Sequence, residues 1–198
     1  MGDVDLSTTD PLLGIFNSRY LQETLPREAE FARTSGQSLS IVLVDLDHFE
    51  WIRDTYGQQT GDAVLQHTVN LTRSALRHAD WMARYGEEEL VVVLPGTHLD
   101  GAYAAAERMR RRCAENAFVL PTSPLVVTAS FGVACIDSIS DPDGHEMLHE
   151  AADALRESQR AGCNRVTCSP ARSHTARSQA ARSPAVEVQP TGTPPREA

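Results

Sequence analysis

Two short stretches concentrate the side chains able to do chemistry. One is Asp45-Leu-Asp-His-Phe-Glu-Trp-Ile-Arg-Asp54, and the other is Arg84-Tyr-Gly-Glu-Glu-Glu-Leu90. The first follows an apolar run that reads as a strand. The second sits between two such runs, so its acids fall in a hairpin turn. Carboxylates from a strand end and a turn can converge on one point. A divalent cation needs that arrangement to neutralise a triphosphate during attack at its α-phosphorus. Acidic turns are also common on solvated surfaces, and spacing by itself favours that plainer reading.

The elements that must position these residues alternate between helix and strand signals. Arg19–Thr34 reads as a helix restarted or kinked at Pro26. Leu39–Val44 is apolar on both faces, which predicts a central strand covered on both sides. Gly61–Leu76 has a helical stripe of Val64, Thr68, Leu71 and Ala75. Trp81–Tyr85 and Glu89–Leu94 form a hairpin. Thr97 and Asp100 resemble a capping box opening a helix whose inner face is Leu99, Tyr103, Ala106, Met109 and Cys113. Leu125–Cys135 is a strand, Glu146–Arg160 a helix ended by Gly162, and Asn164–Thr167 a last strand. The expected fold is α+β, with helices covering a mostly antiparallel sheet.

Composition narrows the function classes. At 198 residues with 41% hydrophobic and 23% charged residues, the chain suits one globular domain with a real core. Residues 1–9 read as an N-terminal extension, 10–168 as the domain, and 169–198 as a disordered tail rich in Ser, Ala, Arg, Pro and Thr. The net charge is −9, and four arginines against two glutamates in that tail leave −11 for the rest. An acidic domain is a poor partner for duplex nucleic acid. No apolar run is long enough to span a membrane, and the acidic, polar start is unlike a secretory signal, so the expected location is cytoplasmic. All 18 basic residues are arginine, which excludes a P-loop lysine or a Schiff base. Cys113, Cys135, Cys163 and Cys168 contain no CxxC pair and are expected as reduced thiols. His48, His67, His78 and His98 show no ligand grouping and read as surface residues; Trp51 and Trp81 read as packing residues, and Arg110–Arg112 as a solvated helix face.

Five stretches in order resemble the GGDEF family of diguanylate cyclases over nearly all of Asp10–Thr167. Asp10-Pro-Leu-Leu-Gly-Ile-Phe-Asn17 is similar to the family's D-x-L-T-G-L-x-N. Asp45…Phe49…Asp54…Gly57…Gly61-Asp62 is similar to D-x-D-x-F-K-x-x-N-D-x-x-G-H-x-x-G-D. Arg84–Leu90 resembles R-Y-G-G-[DE]-E-F, Thr128–Ala134 resembles T-x-S-x-G-x-A, and Ala151–Val166 resembles A-D-x-A-L-Y-x-A-K-x-x-G-R-N-x-V. The resemblance implies a five-stranded sheet wrapped by helices, related to the adenylyl cyclase and polymerase palm. It implies an activity that joins two GTP molecules across a dimer, with magnesium held by Asp45 and Glu88. It also makes Asp45, Gly86, Glu88 and Glu89 remnants of a catalytic site, and Asp62 a remnant of guanine binding.

The departures from the family pattern are as informative. Arg53 stands where an Asn reads guanine, and a guanidinium offers donors only. Glu87 replaces the second signature glycine, adding about 1–4 kcal/mol of repulsion toward a triphosphate at ~4 Å. Gln159 and Cys163 replace the phosphate-binding Lys and Arg, and Glu50 reverses the charge of a Lys. Gln58, Leu90, Ala152 and Arg156 also depart from the pattern. The cyclase is therefore expected to be inactive, with no cofactor required and magnesium relevant only to residual GTP binding.

Arg77-His-Ala-Asp80 matches the family's product-inhibition motif R-x-x-D at its usual offset, and Arg108 in Ala106-Glu-Arg-Met-Arg110 matches its secondary arginine. At a helix end, positions three apart share a face. An arginine fork and a carboxylate suit a guanine edge. The expected ligand is cyclic di-GMP, which can bridge two copies into a homodimer. Two other readings stand beside this receptor: a weak diguanylate cyclase, and a ligand-free module acting on an unknown protein partner.

Overall fold

The computed structural model describes residues 8–120, 123–136 and 143–170. α1 (Ser18–Ser35) leads into β1 (Leu39–Leu46), followed by α2 (Phe49–Tyr56) and α3 (Gln58–Arg73). The hairpin β2 (Trp81–Arg84) and β3 (Glu89–Pro95) precedes α4 (Leu99–Glu115). A two-stranded pair, β4 (Phe118–Val119) and β5 (Pro124–Leu125), leads to β6 (Ala129–Ile136), α5 (His145–Arg160) and β7 (Val166–Cys168). The main sheet has the order β2-β3-β1-β6-β7. Its pairings are antiparallel except for β6 with β7, which is parallel.

β1 is central because it can be apolar on both faces. Val42, Val44 and Leu46 pack with Val64, Leu65, Val69, Ala106 and Met109 of α3 and α4. Leu39, Ile41 and Leu43 pack with Leu21, Leu25, Ala29, Met147 and Leu155 of α1 and α5. Removing one such leucine typically costs about 2–5 kcal/mol. Gly132 allows α5 to approach β6 closely, since a Cβ there would lie 2.1 Å from the Ala151 carbonyl oxygen. The expected α+β architecture is what the chain adopts.

Several local expectations are corrected. α1 does not restart at Pro26 but is one helix with the proline inside it, and Asn17 Oδ1 caps it by accepting from the Tyr20 N–H at 3.0 Å. Thr97 and Asp100 form no capping box: His98 is the N-cap and makes no side-chain cap bond, while Thr97 Oγ1 donates to the Pro95 carbonyl. Tyr103 is exposed, because the buried stripe of α4 is Ala102, Ala105, Ala106, Met109 and Cys113. The segment after β1 turns into α2, and α3 stops at Arg73, short of Leu76. Pairing continues past Cys168: the buried Ser169 donates its N–H to the Val133 carbonyl at 2.7 Å. The expected tail therefore begins no earlier than Pro170, and residues 171–198 lie outside the described residues.

Candidate functional site

Asp45 lies near the end of β1, opposite Glu89 on β3 and Ser130 on β6. The turn between β2 and β3 brings Glu87 and Glu88 to the same end of the sheet. Arg84 shapes that turn by donating to the carbonyls of Gly86 at 3.1 Å and Glu87 at 2.7 Å. It also pairs with Asp10 at 3.1 Å, tying the first stretch of the domain to the signature. A Cβ on Gly86 would meet Glu89 Oε2 at 2.7 Å, so the end of that side chain would have to swing aside. Asp45, Glu50, Arg53, Glu87, Glu88 and Glu89 line a cavity of about 250 Å³.

Several side chains at this end of the sheet are paired with one another. Arg53 Nη1 pairs with Glu87 Oε2 at 3.2 Å, joining α2 to the turn after β2. Gln159 of α5 donates its amide to Asp45 Oδ2. Gln58 donates to Asp62 Oδ1 at 2.9 Å. Burial pushes the Asp45 carboxyl up to about 7, with Glu88, Glu89 and Asp47 adding to the rise and Gln159 opposing it. Glu88 is also raised, first by burial, and against the pull of Arg53.

Asp45 Oδ1 is buried with no hydrogen-bond partner. Such an orphaned oxygen beside a desolvated Glu88 fits a magnesium ion, which commonly takes one or two carboxylates and completes its shell with water and phosphate. These two residues would hold it, and the ion would supply charge neutralisation. Among the described residues no group of three or more His, Cys, Asp or Glu is arranged to hold a metal. Any such ion would therefore depend on phosphate for its remaining ligands.

Asp47 was not singled out by sequence reasoning, yet it organises the same end. It is 7% exposed and accepts from Thr128 Oγ1 and Ser130 Oγ at 2.6 Å each, and from the Asn164 N–H at 2.9 Å. Asp47 lies just past the end of β1 and Thr128 just before the start of β6, where the Asp47 N–H also donates to the Thr128 carbonyl at 2.9 Å. Cys163 and Asn164 are left-handed, at φ 61° and 45°, and present that N–H to Asp47.

Arg77 and Asp80 lie in the loop before β2, beyond the end of α3, which corrects their expected place on a helix face. They meet through a turn instead: the Arg77 N–H donates to Asp80 Oδ2 at 2.8 Å, and the Asp80 N–H to the Arg77 carbonyl at 3.2 Å. Arg108 reaches the same loop, donating to the Ala75 carbonyl at 3.3 Å. Trp81 packs edge-on to Phe16 and Tyr20 as a packing residue, whereas Trp51 is 55% exposed. No histidine cluster forms among the described residues: His67 bonds the Asn116 carbonyl and His98 bonds Ser38.

The family described as "Diguanylate cyclase, GGDEF domain" matches residues 7–165, and the chain belongs to that family. It is 36% identical over 158 residues to the diguanylate cyclase DgcP of Pseudomonas aeruginosa, covering 80% of this chain and 23% of that protein. It is 36% identical over 170 residues to diguanylate cyclase A of Treponema denticola, covering 84% and 45%. The chain thus spans less than half the length of these curated relatives. Among solved structures, the GGDEF domain of Caulobacter crescentus DgcB in complex with c-di-GMP superposes with a TM-score of 0.78 at 28% identity, covering 85% of this chain and 96% of that one. The Pseudomonas aeruginosa diguanylate cyclase SiaD, in complex with its activator SiaC, gives 0.77 at 34% identity, covering 82% and 62%. Among the described residues no helix is long and apolar enough to cross a membrane.

Proposed function

We propose that this GGDEF domain serves cyclic di-GMP signalling as a receptor, binding the dinucleotide at Arg77, Asp80 and Arg108, and that it does not turn over GTP. The observation that carries the reading is the internal pairing of the family's substrate pocket. Arg53 is held by Glu87 and Asp45 by Gln159, in a cavity lined by five carboxylates and one arginine. A triphosphate entering there meets a lining dominated by carboxylates and finds the one lining cation already paired. Arg77 and Arg108, in contrast, reach one loop together with Asp80, the acceptor that a guanine edge requires. The DgcB domain, crystallised with c-di-GMP, lends the reading support by similarity. Such a receptor acts in the cytoplasm, where its ligand can bridge two copies or switch a protein partner.

A second reading has one observation in its favour. Asp45 Oδ1 lacks a partner beside Glu88, so residual magnesium and GTP binding would find two ligands in place. Calorimetric titration separates the two. Cyclic di-GMP is expected to bind at micromolar concentration, and GTP with Mg²⁺ is not. Binding of GTP with Mg²⁺ in the absence of any cyclic di-GMP binding would overturn the receptor reading.

A further inference from the structure

The arginines on the C-terminal half of α4 divide by what they face. Arg110 pairs with Glu107 at 3.1 Å and donates to Asn164 Oδ1 at 3.0 Å, and Arg111 lies 3.7 Å from the same Glu107. Arg108 and Arg112, one turn apart, turn instead to the loop that carries Arg77 and Asp80. Arg108 donates to the Ala75 carbonyl, and Arg112 Nη1 donates to Ser74 Oγ at 2.5 Å. Ser74 Oγ in turn donates to the Leu71 carbonyl at 2.6 Å, so the hydroxyl that holds Arg112 is itself fixed. Among the described residues no carboxylate pairs with Arg77, Arg108 or Arg112. In a chain with 27 acids and 18 arginines, three arginines without an acidic partner around one loop concentrate unneutralised positive charge.

We infer that Arg112 is a phosphate-binding residue of the Arg77/Asp80/Arg108 site, giving it a second anionic anchor. The inference rests on the receptor reading and extends it to a residue outside the R-x-x-D pattern. Positions i and i+4 on a helix stand about 6 Å apart on one face. Arg108 and Arg112 can therefore each take one phosphodiester of a cyclic dinucleotide while Arg77 and Asp80 take a guanine edge. The bond to Ser74 uses one of five guanidinium N–H donors and leaves a planar fork for phosphate oxygens. It also fixes the side chain before the ligand arrives, which lowers the entropy lost on binding.

The plain alternative is that Arg112 only ties the loop to α4. Ser74→Ala removes that tie and keeps the guanidinium, so it separates the two roles. In calorimetric titrations of the full chain with cyclic di-GMP, Arg112→Ala is expected to lose about tenfold in affinity. Arg112→Lys should recover part of the loss, because a point charge replaces the fork. Ser74→Ala should stay within about threefold of the unaltered chain. Unchanged affinity in Arg112→Ala, or an equal loss in Ser74→Ala, overturns the inference. Titration with inorganic pyrophosphate probes phosphate binding without the guanines. If the unaltered chain binds pyrophosphate but no cyclic di-GMP, and Arg112→Ala abolishes the former, the receptor reading falls and the phosphate role of Arg112 stands. If the unaltered chain binds neither probe, both fall.

Discussion

β2 is four residues long, and its two ends carry opposite chemistry. The turn that follows it holds Glu87 and Glu88, facing Asp45 and Glu50 across a small cavity. The loop that precedes it holds Arg77, with Arg108 and Arg112 reaching in from α4. Three strand rises separate Trp81 from Arg84, about 10 Å. At the acidic end the nearby arginines are already engaged: Arg84 by Asp10 and two turn carbonyls, Arg53 by Glu87. At the basic end the Arg108 and Arg112 side chains bond a neutral carbonyl and a hydroxyl, while Asp80 accepts only from the Arg77 backbone N–H. The two ends thus differ in the charge they offer: carboxylates dominate the cavity after β2, and arginine side chains gather around the loop before it.

The largest effect expected from this contrast is complete loss of catalysis. GTP with Mg²⁺ or Mn²⁺ should give no cyclic di-GMP detectable by chromatography at micromolar protein. Glu87→Gly should not restore it, although it frees Arg53 and removes one repulsive charge. Gln159 and Cys163 still offer no cation for the phosphates. Robust turnover by either protein would erase the contrast between the two ends.

Next in size is the loss of ligand binding at the basic end. Removing a charged hydrogen-bonding partner costs about 1.5–3 kcal/mol, roughly ten- to hundredfold in affinity. Arg77→Ala and Asp80→Ala should each weaken cyclic di-GMP binding by that factor in calorimetry, while Glu88→Ala changes it little. Binding that survives Arg77→Ala and disappears in Glu88→Ala or Asp62→Ala would move the ligand to the acidic end.

A smaller effect concerns what the acidic end costs the fold. The Asp45 carboxyl is raised from 3.8 to about 7, so the folded state holds a proton that the unfolded state has released between about pH 4 and pH 7. Stability therefore falls as pH rises through that window and levels off above it. Asp45→Asn keeps an acceptor for Gln159 and removes the charge. Discounted for solvent screening, it should stabilise the domain by about 1–2 kcal/mol at pH 8 and by little at pH 4. Melting curves at the two pH values check this, and equal shifts at both would mean that Asp45 ionises normally.

The sheet, its covered central strand and the hairpin were legible because two-sided apolar runs and turn residues are local signals. Ion pairs between distant positions were not. Arg53 and Glu87 each appear in the sequence as a lost contact, and only the fold shows that they meet. The same holds for Asp10 with Arg84. The helix assignment of Arg77–Asp80 failed for a local reason: the Ser74 hydroxyl bonds the Leu71 carbonyl, and Asp80 accepts from the Arg77 N–H, so a turn replaces another helical turn. Arg112 was hidden within a run of three arginines whose directions a sequence cannot separate.

The smallest expected effect tests whether the contrast belongs to the folded domain alone. Residues 171–198 carry four arginines and two glutamates, and docking on the acidic end would let them neutralise it. Their composition lacks the apolar residues needed to offset the entropy of ordering. Removing residues 171–198 should therefore leave the melting temperature within about 1 °C and cyclic di-GMP affinity within about twofold. A deletion that starts at Ser169 is different. It removes the Ser169 N–H bond to Val133, the Ser169 Oγ bond to Glu150 and a buried side chain beside the edge strand β7. That version should melt a few degrees lower, since one net hydrogen bond is worth about 1 kcal/mol. Equal melting of the two truncations would place the end of the cooperative unit before Ser169. A large drop in both would show that the tail contributes to the fold, and the charge at the acidic end would then have to be counted with its arginines included.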